Sequence, residues 1–439
     1  MKRYETYKDS GLHWVGKIPS HWDEEKLKYI STCNDEVLPE DTPESELIHY
    51  VEISDVDSVS GIRNHTDYTF GDAPSRARRI TRKNDVIIST VRPCLKAIAS
   101  VKENGLIVST GFAVIRPTKV CQKFLAYSLL NDNFLGEVIS KSVGVGYPAI
   151  NSKDLIGIKL PMPPKEEQQA IASYLDYKVG QIDTTIAEKE QMLEDLKSYR
   201  SIIISESVTK GLDKTVEMKD SGIEWLGKIP KKWDCSSLKY YLSEPLQYGA
   251  NESAESNNAN WPRCIRITDI DEYGNLKDET FKSLSPEKAK DYILEKGDVL
   301  FARSGATVGK TYIFKESYKA CFAGYLVKAK CGMRLLPEFL YLYTNTIQYE
   351  NWKNSVFIQA TIQNIGAHKY SLLSIIIPPI KEQQGIIEYV NTKVSIIEEA
   401  LKELQAQMED LKSYRSSLIT DAVTGKIDLR EWKPKEENV

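Results

Sequence analysis

Gly305, Gly309, Lys310 and Thr311, in the stretch ARSGATVGKT (302–311), are the residue types that cradle a phosphate. A phosphate-binding loop reads G-x-x-x-x-G-K-[ST] and leads from a strand into a helix, so that backbone N–H groups wrap the phosphates. Here only three residues separate the glycines, and the segment that follows, KESYK (315–319), is short and charged. The aligned first-half stretch STVRPCLKAIAS (89–100) contains no glycine. The spacing therefore argues against an NTPase and for a turn after a β-run, with Arg303 and Lys310 nearby. Glu24-Glu25-Lys26 has the E-x-K form of half a nuclease site, but its second-half counterpart is Cys235-Ser236-Ser237, which carries no carboxylate. The five histidines (13, 21, 49, 65 and 368) are scattered, and the seven cysteines include no C-x-x-C pair. These patterns predict no catalytic residues, no metal site, and free thiols in a reducing, cytoplasmic setting.

The elements that would position such residues are written twice. KDSGLHWVGKIPSHWDEEKLKY (8–29) recurs as KDSGIEWLGKIPKKWDCSSLKY (219–240), and PPKEEQQ…EDLKSYRS (163–201) as PPIKEQQ…EDLKSYRS (378–416). VTKGLD (208–213) answers VTGKID (423–428). Between them, 30–150 and 241–365 share little beyond NDVIIST (84–90) against GDVLFAR (297–303). Repeats of about 210 residues are too long for a solenoid and read as a duplicated domain.

The repeated segments predict long helices. Ile171, Leu175, Val179, Ile182, Ile186, Leu193, Leu196 and Ile203 fall mostly three or four apart, as do Ile386, Val390, Val394, Ile397, Leu401, Leu404, Met408, Leu411 and Leu418. This is a coiled-coil seam, and forty residues give a rod of roughly 60 Å. Antiparallel pairing would return the C-terminus to the N-terminal signature with pseudo-two-fold symmetry; parallel pairing would need a long crossover that the chain lacks. The variable segments alternate β-rich runs (85–90, 106–117, 264–270, 298–303) with helical patches (123–132, 336–346), which predicts an α+β class.

Composition sets outer limits. The 439 residues and 41% hydrophobic content suit two or three globular domains. No apolar run is long enough to cross a bilayer, and MKRYETYKDS carries no apolar signal region. The net charge of −4 averages unlike parts: residues 61–100 hold eight Lys/Arg against three Asp, while 165–213 hold six Lys/Arg against ten Asp/Glu.

The motifs D-S-G-x-x-W-x-G-K-I-P-x-x-W, G-D-V-L-F-A-R-S-G-x-x-x-G-K and P-P-x-x-E-Q-Q before a long helix resemble the specificity (S) subunit of type I restriction-modification systems. The resemblance runs in order along nearly the whole chain, twice. It implies target recognition domain 1 at 1–160, conserved helices at 161–215, target recognition domain 2 at 216–375, conserved helices at 376–430 and a tail at 431–439. Each recognition domain would read one half of a bipartite site on double-stranded DNA. The helices would set the spacer and dock two methyltransferase (M) subunits, with restriction (R) subunits joining through them and no membrane involved. S-adenosylmethionine, ATP and Mg2+ would belong to those partners, and the chain would be non-catalytic. No N/D/S-P-P-Y methylase motif is present.

Arginine reads guanine and Asn or Gln reads adenine, each by pairing two groups on one base edge, whereas lysine and hydroxyls more often hold phosphates. Candidate DNA contacts are Arg76, Arg78, Arg79 and Arg92 with Tyr147 of the GVGY turn, then Arg303, Lys310, Gln359, Thr361, Gln363 and Asn364. Each also fits a solvated loop, a plain hairpin turn or an exposed strand. Asn251–Asn260 reads as a mobile polar loop. Trp14, Trp225, Gln168 and Gln383 recur and are candidate partner contacts; core packing of the tryptophans is the competing reading, and the acidic helix starts suit the helix dipole. A coiled-coil scaffold holding two protein partners is the alternative function.

Overall fold

The computed structural model describes residues 2–271, 274–305, 307–358 and 364–433. The chain divides into two compact units, one made of residues 1–190 and 405–439, the other of 191–404. The boundary falls inside both long helices, Lys165–Lys210 and Ile380–Val423, so each unit contains part of each helix.

In unit 1, a four-stranded antiparallel sheet is ordered Ile98–Ser100, Val86–Ser89, Phe112–Pro117, Ser31–Cys33. A second sheet is ordered Thr66–Thr69, Leu47–Val51, Leu106–Ser109, Ala77–Ile80, with the middle pair parallel. Val51, Ile87, Val108, Phe112 and Val114 join the two sheets in one core cluster. The run 106–117, one β-rich stretch in sequence, therefore crosses from one sheet to the other at Thr110-Gly111.

Unit 2 repeats this scheme in different residues. Its antiparallel sheet is ordered Gln247–Tyr248, Leu326–Ala329, Val299–Ala302, Thr311–Ile313, beside a parallel pair, Arg263–Ile265 with Ala320–Phe322. The run 264–270 enters the strand and then turns into a short 3-10 helix, Ile267–Asp269. The shared N/G-D-V motif has a local cause. Asn84 and Gly297 adopt φ of 75° and 97°, a region that Asn and Gly tolerate best. The buried Asp85 and Asp298 then accept the N–H of Arg82 and Glu295, each at 2.8 Å, which closes the turn before the central strand.

The helix starts are built the same way twice. Glu167 and Glu382 lie in the first turns, where a carboxylate suits the positive end of the helix dipole. Glu167 accepts the indole N–H of Trp22 at 2.9 Å, and Glu382 that of Trp233 at 2.8 Å. Gln168 donates to Pro163 O at 2.8 Å and accepts from Cys121 N at 2.8 Å; Gln383 donates to Pro378 O at 2.8 Å and accepts from Leu336 N at 2.9 Å.

The same tryptophans meet the helix ends. Gly425, just past the second helix, lies against Pro19 and Trp22, and Gly211, just past the first, lies against Trp233. In unit 1 the start of one long helix and the end of the other thus converge on Trp22, and in unit 2 the reverse pair converges on Trp233. This is the predicted antiparallel pairing. Cross-helix contacts agree: Asp183 accepts from Arg415 at 2.7 Å and Gln407 from Lys189 at 2.6 Å in unit 1, and Arg200 meets Glu398 at 3.2 Å in unit 2. Of the predicted seam, Leu196, Val394 and Leu411 are half-buried and the others are buried. The C-terminal segment returns to the N-terminus, where Asp428 N donates to Lys2 O at 2.9 Å.

Gly211 and Gly425 separate two costs. Both have positive φ, 79° and 74°, but a methyl group on Gly425 would lie 2.3 Å from Pro19 Cδ, whereas one on Gly211 would lie 3.1 Å from Trp233 Cζ2. Gly211→Ala should destabilise by about 1–2 kcal/mol through backbone strain, and Gly425→Ala by clearly more. Chemical denaturation of the two variants checks this; equal losses would contradict it.

Candidate nucleic-acid interface

Each unit places an arginine in the turn of the corresponding hairpin. In unit 1 the turn between Val86–Ser89 and Ile98–Ser100 carries Arg92, held at φ 50° with its N–H donated to Pro148 O at 2.7 Å. Residues 143–149 form a narrow loop in which Val143 and Ala149 exchange two backbone hydrogen bonds, and its exposed tip carries Tyr147. The Arg92 guanidinium stacks on the Tyr147 ring at 3.9 Å. In unit 2 the turn between Val299–Ala302 and Thr311–Ile313 carries Arg303, whose guanidinium lies 4.9 Å from the Tyr248 ring. Asn364 is exposed and bridges Ser304, so the segment before the last short helix is joined to the hairpin turn as in unit 1.

Arg76, Arg92 and Tyr147 line one cleft of about 460 Å³ together with Glu52 and Arg63. Arg76 pairs with Glu52 at 2.8 Å, a bond a phosphate or base could displace because both groups are exposed. Arg78 stands elsewhere, stacked on Phe70 at 4.7 Å. Arg79 is not a surface group: it is half-buried, donates to Phe112 O and Asn34 Oδ1, and burial lowers its pKa. In place of the expected DNA contact, Arg79 ties two strands together.

Lys310 also turns inward, donating to Ile270 O at 3.0 Å and Asp271 O at 3.1 Å. Thr311 begins a strand rather than a helix, and its hydroxyl bonds Thr344 Oγ1 at 2.7 Å. The glycine stretch is thus a hairpin turn without the strand-to-helix geometry of a phosphate loop. Gln359, Thr361 and Gln363 lie outside the described residues. The 251–260 segment is tied to its unit at several points: Ser256 O accepts from Ser283 N at 2.8 Å, Asn257 Oδ1 from Lys282 Nζ at 2.9 Å, and Glu252 pairs with Lys288 at 2.9 Å.

Of the candidate partner contacts, Gln168 and Gln383 are 3% and 0% exposed with their amides used internally, so neither offers a surface to another chain. Trp14 packs edge-on against Phe134 at 6.0 Å, and Trp225 packs against the unit 2 core. Both are half-buried.

Glu52 and Tyr248, which touch the site arginines or their cleft, and Arg266, the unit 2 counterpart of Glu52, escaped the sequence reading. Glu52 precedes ISD in unit 1 and Arg266 precedes ITD in unit 2, each opening a 3-10 helix closed by Asp55 or Asp269. The recurrence of ISDVD (53–57) as ITDID (267–271) was the available signal. The same position therefore carries opposite charges in the two units. Tyr248 had no such signal: its ring meets Arg303 and its hydroxyl accepts the N–H of Ala367 at 2.9 Å.

Comparison with known proteins follows this duplication. The family model described as "Type I restriction modification DNA specificity domain" matches residues 44–195 and again 250–407. The specificity subunit of the type I restriction enzyme EcoKI from Escherichia coli (strain K12) is 23% identical over 74% of this chain and 70% of its own length. That of MjaIX from Methanocaldococcus jannaschii is 23% identical over 98% of each chain. A solved chain, from work on complex assembly and conformational transition of the type I R-M system, superposes with a TM-score of 0.71 at 21% identity, covering 93% of this chain and 99% of that one. It establishes likeness of fold.

Among the candidate contacts, the structure separates a residue that holds the fold, Arg79, from one at the surface, Arg76. Arg79→Ala should cost about 1–3 kcal/mol, because buried hydrogen-bond partners lose their donor. Arg76→Ala should stay within about 0.5 kcal/mol. Thermal denaturation of both variants tests the division; a large loss in Arg76→Ala would contradict it.

Proposed function

The chain belongs to the family of type I restriction-modification DNA specificity domains, and from that premise we propose that each unit reads one half of a bipartite DNA site. The observation that carries the reading is the doubled arginine at the hairpin turn, stacked on Tyr147 in unit 1 and on Tyr248 in unit 2. A guanidinium held on a ring keeps its donor edge free and pre-oriented, which is what bidentate pairing with guanine O6 and N7 requires. Matched positions differ in the two units, Glu52 against Arg266 above all, so the two half-sites differ in sequence.

The long helices set the unread spacer and dock two M subunits, through which R subunits join. Tyr199 and Tyr414 support this role: they occupy the same position in the two EDLKSYRS segments and are 54% and 51% exposed. Large exposed rings on a helix suit an interface with equivalent partners. Catalysis, with S-adenosylmethionine, ATP and Mg2+, resides in those partners. No helix among the described residues is long and apolar enough to cross a membrane.

The test is duplex binding by the assembly with M subunits and by the chain alone. Affinity should fall steeply as salt rises and discriminate between sequences. Arg92→Ala should relax preference at one half-site by about 1–3 kcal/mol, and Arg303→Ala at the other only. Salt-insensitive binding without sequence preference would favour a scaffold for two protein partners. Removing one heptad from both long helices should change the tolerated spacer and leave both half-sites unaltered; an unchanged spacer contradicts the ruler role.

A further inference from the structure

Three side chains that the sequence scatters meet on the outer strand pair of one unit 1 sheet. His49 lies in Leu47–Val51 and Asp67 in Thr66–Thr69, and the register sets them directly opposite one another. His65 precedes Asp67 by two residues, the spacing that returns a side chain to the same face of an extended chain. His49 Nδ1 is 2.7 Å from Asp67 Oδ1, and His65 Nε2 is 3.5 Å from the same oxygen. The two imidazoles stand edge to face at 5.1 Å, and one ligand atom from each of the three groups lies within 4.8 Å of the others.

We propose that His49, His65 and Asp67 form a binding site for a divalent transition metal of the Zn2+ class. Two imidazole nitrogens and one carboxylate oxygen match the ligands such ions prefer, whereas Mg2+ and Ca2+ take oxygen ligands, of which the site supplies one residue. Zinc–ligand bonds of about 2.0–2.2 Å require only small side-chain rotations from the observed separations. All three residues are exposed, so an ion reaches them without opening the core, and water completes the coordination. The ion would cross-link an edge strand that is otherwise held on one side only. The site belongs to unit 1 alone, since the second half of the chain has a single histidine, His368. It is thus separate from the duplicated architecture. Cross-strand pairing brings His49 to the His65–Asp67 pair.

The full-length chain, stripped with chelator, is titrated with Co2+ and followed by its visible absorption, then with Zn2+ in competition and by calorimetry. One ion per chain is expected, with a rise in melting temperature on adding Zn2+. Asp67→Asn should weaken binding roughly tenfold or more, and the His49→Ala/His65→Ala double variant should abolish both the spectrum and the thermal shift. Circular dichroism reports whether the variants fold, and Cys94→Ser, which removes an exposed thiol, should bind as the parent does. Unchanged stoichiometry in the folded double variant, no Co2+ spectrum in the parent, or loss of binding in Cys94→Ser would each overturn the assignment.

Discussion

The bond from a buried indole N–H to a carboxylate in the first turn of a long helix is the constraint on which each unit depends. A buried indole donor without a partner is costly, and the start of a helix is where a carboxylate is most favoured. The pair satisfies both demands. It also places the ring where the other long helix terminates, so one tryptophan fixes a helix beginning, a helix end and the signature hairpin together. In unit 1 the same carboxylate accepts a further bond from Tyr4 at 2.9 Å and lies 2.6 Å from His21 Nε2. Unit 2 manages with Trp233 and a glutamine that bonds two loop carbonyls, Pro378 and Arg334.

This explains why the signature, the P-P-x-x-E-Q-Q stretch and the V-T-K-G/V-T-G-K segment repeat together, although they are far apart along the chain. They are parts of one joint. The regions between them are free to differ because the joint, and the turn made by Asp85 or Asp298, hold the frame. Sequence divergence between the two variable regions coexists with one sheet order for that reason.

The long helices, their antiparallel sense and the mixed recognition domains were legible because periodicity and repetition are local signals that survive without coordinates. The site was less so. Arg92 and Tyr147 were visible as residue types, yet their stacking depends on a loop closed through Pro148 and Ala149. Arg79 and Lys310 look like their surface neighbours in sequence, and only burial and carbonyl partners show that they serve the fold. The glutamines of the E-Q-Q motif suggested a repeated partner surface; they recur instead because proline carbonyls before the helix need donors. His49 reaches the His65–Asp67 pair through strand register, which no spacing rule records.

Two sheets of the same order with unlike loops, each fastened to helix segments of nearly the same sequence, suit one task performed twice on different sequences. The most direct measurement is a single-molecule sequencing map of methylated adenine in cells carrying this chain with its methyltransferase subunits, against cells in which this chain is deleted. The account predicts a motif of two specified segments separated by a fixed unread spacer, lost on deletion. A methylation pattern unchanged by the deletion, or one contiguous motif without a spacer, would contradict it.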